Sequence, residues 1–219
     1  MPKISVVLVT YRRMERVSDI LVAWLKETPD VWLCDCSPEG FKTDLPIKII
    51  RAMPDPGNRI RHAVALLTDG DLVIKSDDDV IPLAGIGEDF AKHMETLGPA
   101  ILGIHGRVFK GPDYYHDTTI YIATGITQPQ AVDFAGIMTC SPREFLPMDL
   151  RGCASEIEDL FWQMEQYPKA KKYVIATNKF HLLPESQGQD RLCLKPESRA
   201  IRQHYYERLY VRNYKARAL

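Results

Sequence analysis

The chain has 219 residues, 45% of them hydrophobic, and a net charge of −1. That length supports one good core, or one core with an appendage, and excludes a multidomain assembly. Apolar runs such as ISVVLV are far too short to span a bilayer, and the N-terminus lacks the long apolar stretch and small-residue cleavage site of a secretory signal. A soluble, cytoplasmic protein is therefore expected, in the host cytoplasm if it is viral.

In chain order, KISVVLVTY reads as a buried strand from its β-branched apolar run, and RMERVSDILVAWLKE follows with Met14, Val17, Leu21, Trp24 and Leu25 at helical spacing. VWLCDCS is a second short strand, closed by the turn Ser37-Pro38-Glu39-Gly40. IKII is a third, before the loop MPDPGN. RIRHAVALL is helical through Ile60, Ala63, Val64 and Leu67, and GDLVIKS is a fourth strand. Strands alternating with helices predict a parallel α/β sheet. Farther on, EDFAKHMETL predicts a helix, AILGIHGRVF and TIYIA strands, EIEDLFWQMEQY an amphipathic helix and KYVIAT a strand. PESRAIRQHYYERLYVRNY closes as a helix with proline near its first turn.

Ligands of parallel α/β sheets collect at the carboxyl ends of the strands. Thr10-Tyr11-Arg12-Arg13, Asp35-Cys36-Ser37 and Asp77-Asp78-Asp79 all fall at predicted strand ends and should converge. The triple aspartate asks for a positive partner, because unit charges about 4 Å apart repel by roughly 4 kcal/mol near a protein surface. Asp77 and Asp79, two apart in an extended segment, would point the same way and could hold one hard dication. An acidic turn capping a helix is the plainer reading of the same residues. The five cysteines (34, 36, 140, 153 and 193) show no metal-site spacing and read as reduced, mostly buried thiols.

VVLVTYRR, CDCSPEG, GNRIRHAVALLTDGDLVIKSDDDVIP, VDFAGIMTCSPREF and EIEDLFW occur in that order. Together they make residues 3 to 185 resemble a family 2 glycosyltransferase with the GT-A fold. The resemblance implies a single α/β domain over residues 1–190, with a basic, aromatic-rich extension over 191–219. It implies a nucleoside diphosphate sugar as donor, with UDP as the expected nucleotide, and a divalent cation, Mn2+ or Mg2+, bridging carboxylates and diphosphate. By position, Thr10, Tyr11 and Arg13 wrap the nucleotide, Asp35 meets the base, and Arg61 meets nucleotide or diphosphate. Asp77-Asp78-Asp79 match the metal-binding motif, with the metal pair open between Asp77/Asp79 and Asp78/Asp79. His181 is expected to complete the metal shell, with His204 as its competitor. Gly136 permits close approach beneath the donor sugar. Asp159 is expected as the base that deprotonates the acceptor, supported by Glu158, with Glu156 a third candidate. Lys75 departs from the pattern, standing where the family often has an apolar or acidic residue, and so warns against assuming the usual donor.

Residues 191–219 carry eight basic and two acidic side chains, a local charge of +6, interleaved with Tyr205, Tyr206, Tyr210 and Tyr214. This suits a nucleic-acid acceptor, and enzymes resembling the family include small phage proteins that glycosylate hydroxymethylated pyrimidines in DNA. An amphipathic helix with tyrosines packed on the body is the competing expectation, and a simple saccharide the competing acceptor. Two other functions are carried forward: a nucleic-acid-binding module on a degenerate nucleotide fold, and a sugar nucleotidyltransferase. The latter is disfavoured because TYRRMER stands where its Gly-rich phosphate loop belongs.

Overall fold

Strand β1 (Ile4–Thr10) has Val6, Val7 and Leu8 all fully buried, so both of its faces must be covered. In the computed structural model, which describes residues 1–11, 14–147, 149–151, 153–183 and 195–213, helices cover both. On one face lie α1 (Met14–Glu27) and α3 (Ile86–Leu97), packing Val17, Ile20, Leu21, Trp24 and Phe90 on Val6, Leu8, Leu33 and Ile74. The other carries α2 (Arg59–Ala65), whose Val64 and Ala65 meet Val7, Cys34 and Val73.

Strands β2 (Val31–Asp35), β3 (Lys48–Arg51) and β4 (Leu72–Ser76) extend β1 in parallel, as predicted. After them come β5 (Val80–Pro82), β6 (Ala100–Gly103), β7 (His105–Phe109), β8 (Thr118–Ile122), β9 (Gln130–Ala131), β10 (Phe134–Gly136) and β11 (Thr139–Pro142). Helix α4 (Glu158–Leu160), β12 (Lys171–Val174), β13 (Phe180–Leu182) and α5 (Pro196–Asn213) complete the described elements. The main sheet has the order β3-β2-β1-β4-β11-β6-β12-β9, with smaller sheets β10-β7-β8 and β13-β5. The chain runs from β1 outward through β2 and β3, then returns to place β4 on the other side of β1. That reversal opens a crevice between the ends of β1 and β4, where such sheets take ligands.

Two elements differ from expectation. AILGIHGRVF is divided at Ile104 between the main sheet and a smaller one. The helix expected over EIEDLFWQMEQY has only three α-helical residues before it widens into a π-type turn over Phe161–Gln166. The widening places three consecutive residues, Trp162, Gln163 and Met164, inside together. Gln163 then spans the core to Ala135, accepting from its N–H (2.9 Å) and donating to its carbonyl (2.5 Å), while the Trp162 indole donates to the Phe145 carbonyl (2.6 Å).

The basic segment is helical from Pro196, as predicted. Its tyrosines turn inward: Tyr206 and Leu209, with Tyr205 and Tyr210 beside them, pack on Phe109, Tyr114, Leu160 and Met164. The Tyr206 hydroxyl donates to the Gly111 carbonyl (2.9 Å). Among the described residues no helix is long and apolar enough to cross a membrane. Cys34, Cys36, Cys140 and Cys153 are free and buried, as expected.

Gln163→Met should destabilise the fold by about 3 kcal/mol in urea denaturation, because it strands two buried backbone groups at roughly 1–3 kcal/mol each. A loss under 1 kcal/mol would show that the π-type turn is held by packing alone.

Candidate active site

Parallel pairing sets Thr10 opposite Asp35, at adjacent strand ends. Across the crevice, the Thr10 hydroxyl donates to Asp78 Oδ2 (3.2 Å), joining the end of β1 to the acidic run after β4. Asp35 is buried and occupied with its own loop: Oδ1 accepts from the Ser37 N–H and hydroxyl, and Oδ2 from the Phe41 N–H. Burial works to raise its pKa, but these hydrogen bonds from Ser37 and Phe41 outweigh it and hold the carboxyl below its ordinary value. Tyr11 is exposed beside the crevice; Arg13 lies outside the described residues.

Helix α2 carries the residue that joins the two acidic segments. Its start is fastened to residues 153–155, with the Ser155 hydroxyl accepting from the Asn58 N–H (2.7 Å) and Arg59 donating to the Cys153 carbonyl (2.9 Å). Two residues on, Arg61 Nη1 donates to Asp77 Oδ1 (2.6 Å) and Nη2 to Glu158 Oε1 (2.5 Å). Arg61 thus engages one oxygen of Asp77, Oδ1. Glu158 is fully buried, and its pKa is pushed up to about 7 by that burial and by the charge of Asp159, with Arg61 and Arg202 pulling the other way.

Asp159 faces differently. Its Oδ1 accepts from the Leu160 N–H (2.8 Å) and from Arg202 Nη2 (2.6 Å), while Oδ2 has no hydrogen-bond donor among the described residues. Arg202 comes from α5 and is itself fixed, donating to the Glu156 carbonyl (3.1 Å) and the Tyr114 hydroxyl (2.8 Å). The Glu156 backbone, rather than its side chain, therefore enters the network.

Asp159 stands beside a cavity of about 20 Å³ that is also lined by Arg61, His62, Lys75, Gln163 and the segment from Ala135 to Thr139. Gly136 is followed by two residues in the left-handed region, Ile137 at φ 46° and Met138 at φ 26°. A β-branched residue there costs of order 1–3 kcal/mol, and such strain gathers at functional sites. A Cβ on Gly136 would sit 3.1 Å from the Phe134 ring, a tight contact that the ring would have to yield to.

Lys75 and His62 line the same cavity and are essentially inaccessible to solvent. Burial first, then the charge of Arg61, pushes the Lys75 pKa well below its ordinary value. For His62 the downward push is burial, then Lys75. Lys75 Nζ rests over the Trp162 ring, 2.9 Å from its centroid, and the His62 ring meets Trp162 edge-on at 5.2 Å.

His181 is exposed on β13, paired with Ile81 of β5. The Leu183 N–H continues that ladder to the carbonyl of Asp79, which lies in the turn before β5 (2.8 Å). His204 is exposed on α5. Among the described residues no three His, Cys, Asp or Glu side chains are drawn together closely enough to hold a metal ion by themselves.

No family model and no curated protein matches the chain. Solved structures do. The crystal structure of S. aureus TarS residues 1–349, a family 2 type glycosyltransferase, matches with a TM-score of 0.56 at 17% identity over 84% of this chain. The chain shares the fold of TarS. It spans 62% of that TarS chain, and 57% and 59% of the TarS chains crystallised with UDP-GlcNAc and with UDP, both at TM-score 0.56 and 18% identity.

The raised pKa of Glu158 has a definite sign. An acid whose folded pKa lies above its unfolded value adds stability that is complete below about 4.5 and lost as pH rises through about 7. Glu158→Gln keeps an acceptor for Arg61 and removes the titration. Wild type should therefore lose stability relative to this variant between pH 4.5 and 7 in paired thermal melts. Parallel curves would place the shift elsewhere.

Proposed function

We propose that the chain is an inverting glycosyltransferase that moves a sugar from a UDP-sugar to an acceptor hydroxyl. The observation that carries this is the crevice itself: the bridged ends of β1 and β4 face an acidic helix start across Arg61, on a fold shared with a protein crystallised with UDP and UDP-GlcNAc.

In this reading the loop that Asp35 builds over Ser37–Phe41 accommodates the base, with Thr10, Tyr11 and Arg13 along the nucleotide. The sugar lies over Gly136–Thr139, near Asp159. Asp159 Oδ2 takes the proton of the acceptor hydroxyl while that oxygen bonds to the anomeric carbon. The bond from that carbon to the diphosphate breaks with its electron pair leaving on the nucleotide, and the carbon inverts. Arg202 and the Leu160 N–H hold Oδ1, so Oδ2 is the oxygen presented. Glu158 works through Arg61, which it fixes beside Asp77.

A divalent cation belongs to the proposal: Asp79 with Asp77 or Asp78 would hold it, and His181 stands on the neighbouring strand. Magnesium is typically bound by one or two carboxylates together with substrate phosphates, so a hard-oxygen pair without a complete protein cage fits. When bound, the ion supplies charge neutralisation at the diphosphate.

For the acceptor, the burial of Tyr206, with Tyr205 and Tyr210 partly buried beside it, takes up aromatic surface that would stack on bases. That favours a saccharide hydroxyl over hydroxymethylated DNA. The same packing leaves less support for a nucleic-acid-binding module.

Asp159→Asn should lower transfer by roughly 10²- to 10⁴-fold, the range of general-base catalysis, with UDP-sugar affinity held within twofold by calorimetry. Lost donor binding with surviving transfer would reverse the assigned roles.

A further inference from the structure

Lys75, the departure already noted in the sequence, projects from the middle of a fully buried strand. Its Nζ has no hydrogen-bond partner. Beside it, both ring nitrogens of His62 and the Nε of Arg61 are likewise buried and unpaired, and all three residues line the cavity beside Asp159. Buried polar atoms are nearly always satisfied, so several unsatisfied ones around one cavity mark a place made for a ligand group.

The chemistry of the lining narrows that group. Lys75 and Arg61 Nε offer N–H donors, and His62 offers one donor in its neutral form. Most acceptors nearby are already used: Gln163 on Ala135, Glu158 on Arg61, and Asp159 Oδ1 on Leu160 and Arg202, which leaves Asp159 Oδ2, the oxygen assigned above to the acceptor hydroxyl. A wall rich in donors complements an acceptor-only group, and a hydroxyl would bring a further donor. Size narrows it again. About 20 Å³ slightly exceeds the roughly 10–15 Å³ that one water needs, which admits a terminal substituent and excludes a sugar ring. The ring would lie outside, over Gly136–Thr139.

We infer that this cavity receives the carboxylate of a hexuronic acid carried by the donor, making Lys75 a specificity-determining residue. The inference rests on the transferase reading above and names the class of its donor. A free carboxylate anion offers the same chemistry, so the test separates the two sources.

Calorimetric titrations in manganese-containing buffer would use UDP-glucuronate, UDP-glucose, UDP-GlcNAc, UDP and acetate, each against wild type and Lys75→Met. The expected result is at least tenfold tighter binding of UDP-glucuronate than of UDP-glucose by wild type. Lys75→Met should erase that preference while UDP affinity stays within twofold. The wild-type comparison stands even if the variant fails to fold. Binding of UDP without a preference for the uronate overturns this inference alone. Acetate binding that depends on Lys75, without any uronate preference, assigns the cavity to a free anion and also overturns it. Failure of every UDP compound to bind overturns the transferase reading together with it.

Discussion

Arg61 is the interaction on which the rest of the site depends. One guanidinium, largely enclosed on the core side of α2, reaches Asp77 after β4 and Glu158 at the start of α4, 81 positions apart in the chain. Without a cation between them, two carboxylates would be forced together in a region largely shielded from water. Burial opposes the charge on Arg61, and Glu158 and Asp77 outweigh it, so the guanidinium is held firmly protonated. Such a buried ion network contributes little net stability against its desolvation cost. Its value is geometric, because it fixes where the acidic helix start faces the crevice.

A second arginine extends the pattern. Arg202 holds Asp159 as Arg61 holds Glu158, so neighbouring carboxylates are divided between two cations from different parts of the chain. The division leaves the two acids in different surroundings: Glu158 is enclosed and bound to α2 through Arg61, whereas Asp159 lines the cavity. A strained turn at Ile137 and Met138 forms part of the opposite wall.

The first half of the fold was legible because the information there is local. Buried parallel strands announce themselves as apolar runs, and Pro196 sets the start of α5 through its fixed φ. The convergence of Thr10 with the aspartates followed from topology alone. Other features depend on contacts that no local pattern encodes. The π-type turn exists because Gln163 must reach Ala135, and a glutamine in an amphipathic run gives no sign of that. Arg202 looks like every other arginine of the basic segment, and only the packing of Tyr206 and Leu209 decides which face of α5 meets Asp159. His62 read as one more helical position. Lys75 alone left a trace, as a charge inside the otherwise apolar LVIKS. Asp35 shows the converse case, an acid at the expected strand end whose oxygens serve its own loop.

Helix α5 joins the body through a small aromatic cluster, apart from the large core under β1 and α1. Warming would loosen that satellite first, since fewer apolar contacts resist it. Asp159 would then lose its arginine while the sheet was still intact. The carboxylate network at the start of α4 would therefore come apart before the sheet melts, its upper temperature set by one peripheral helix rather than by the interior.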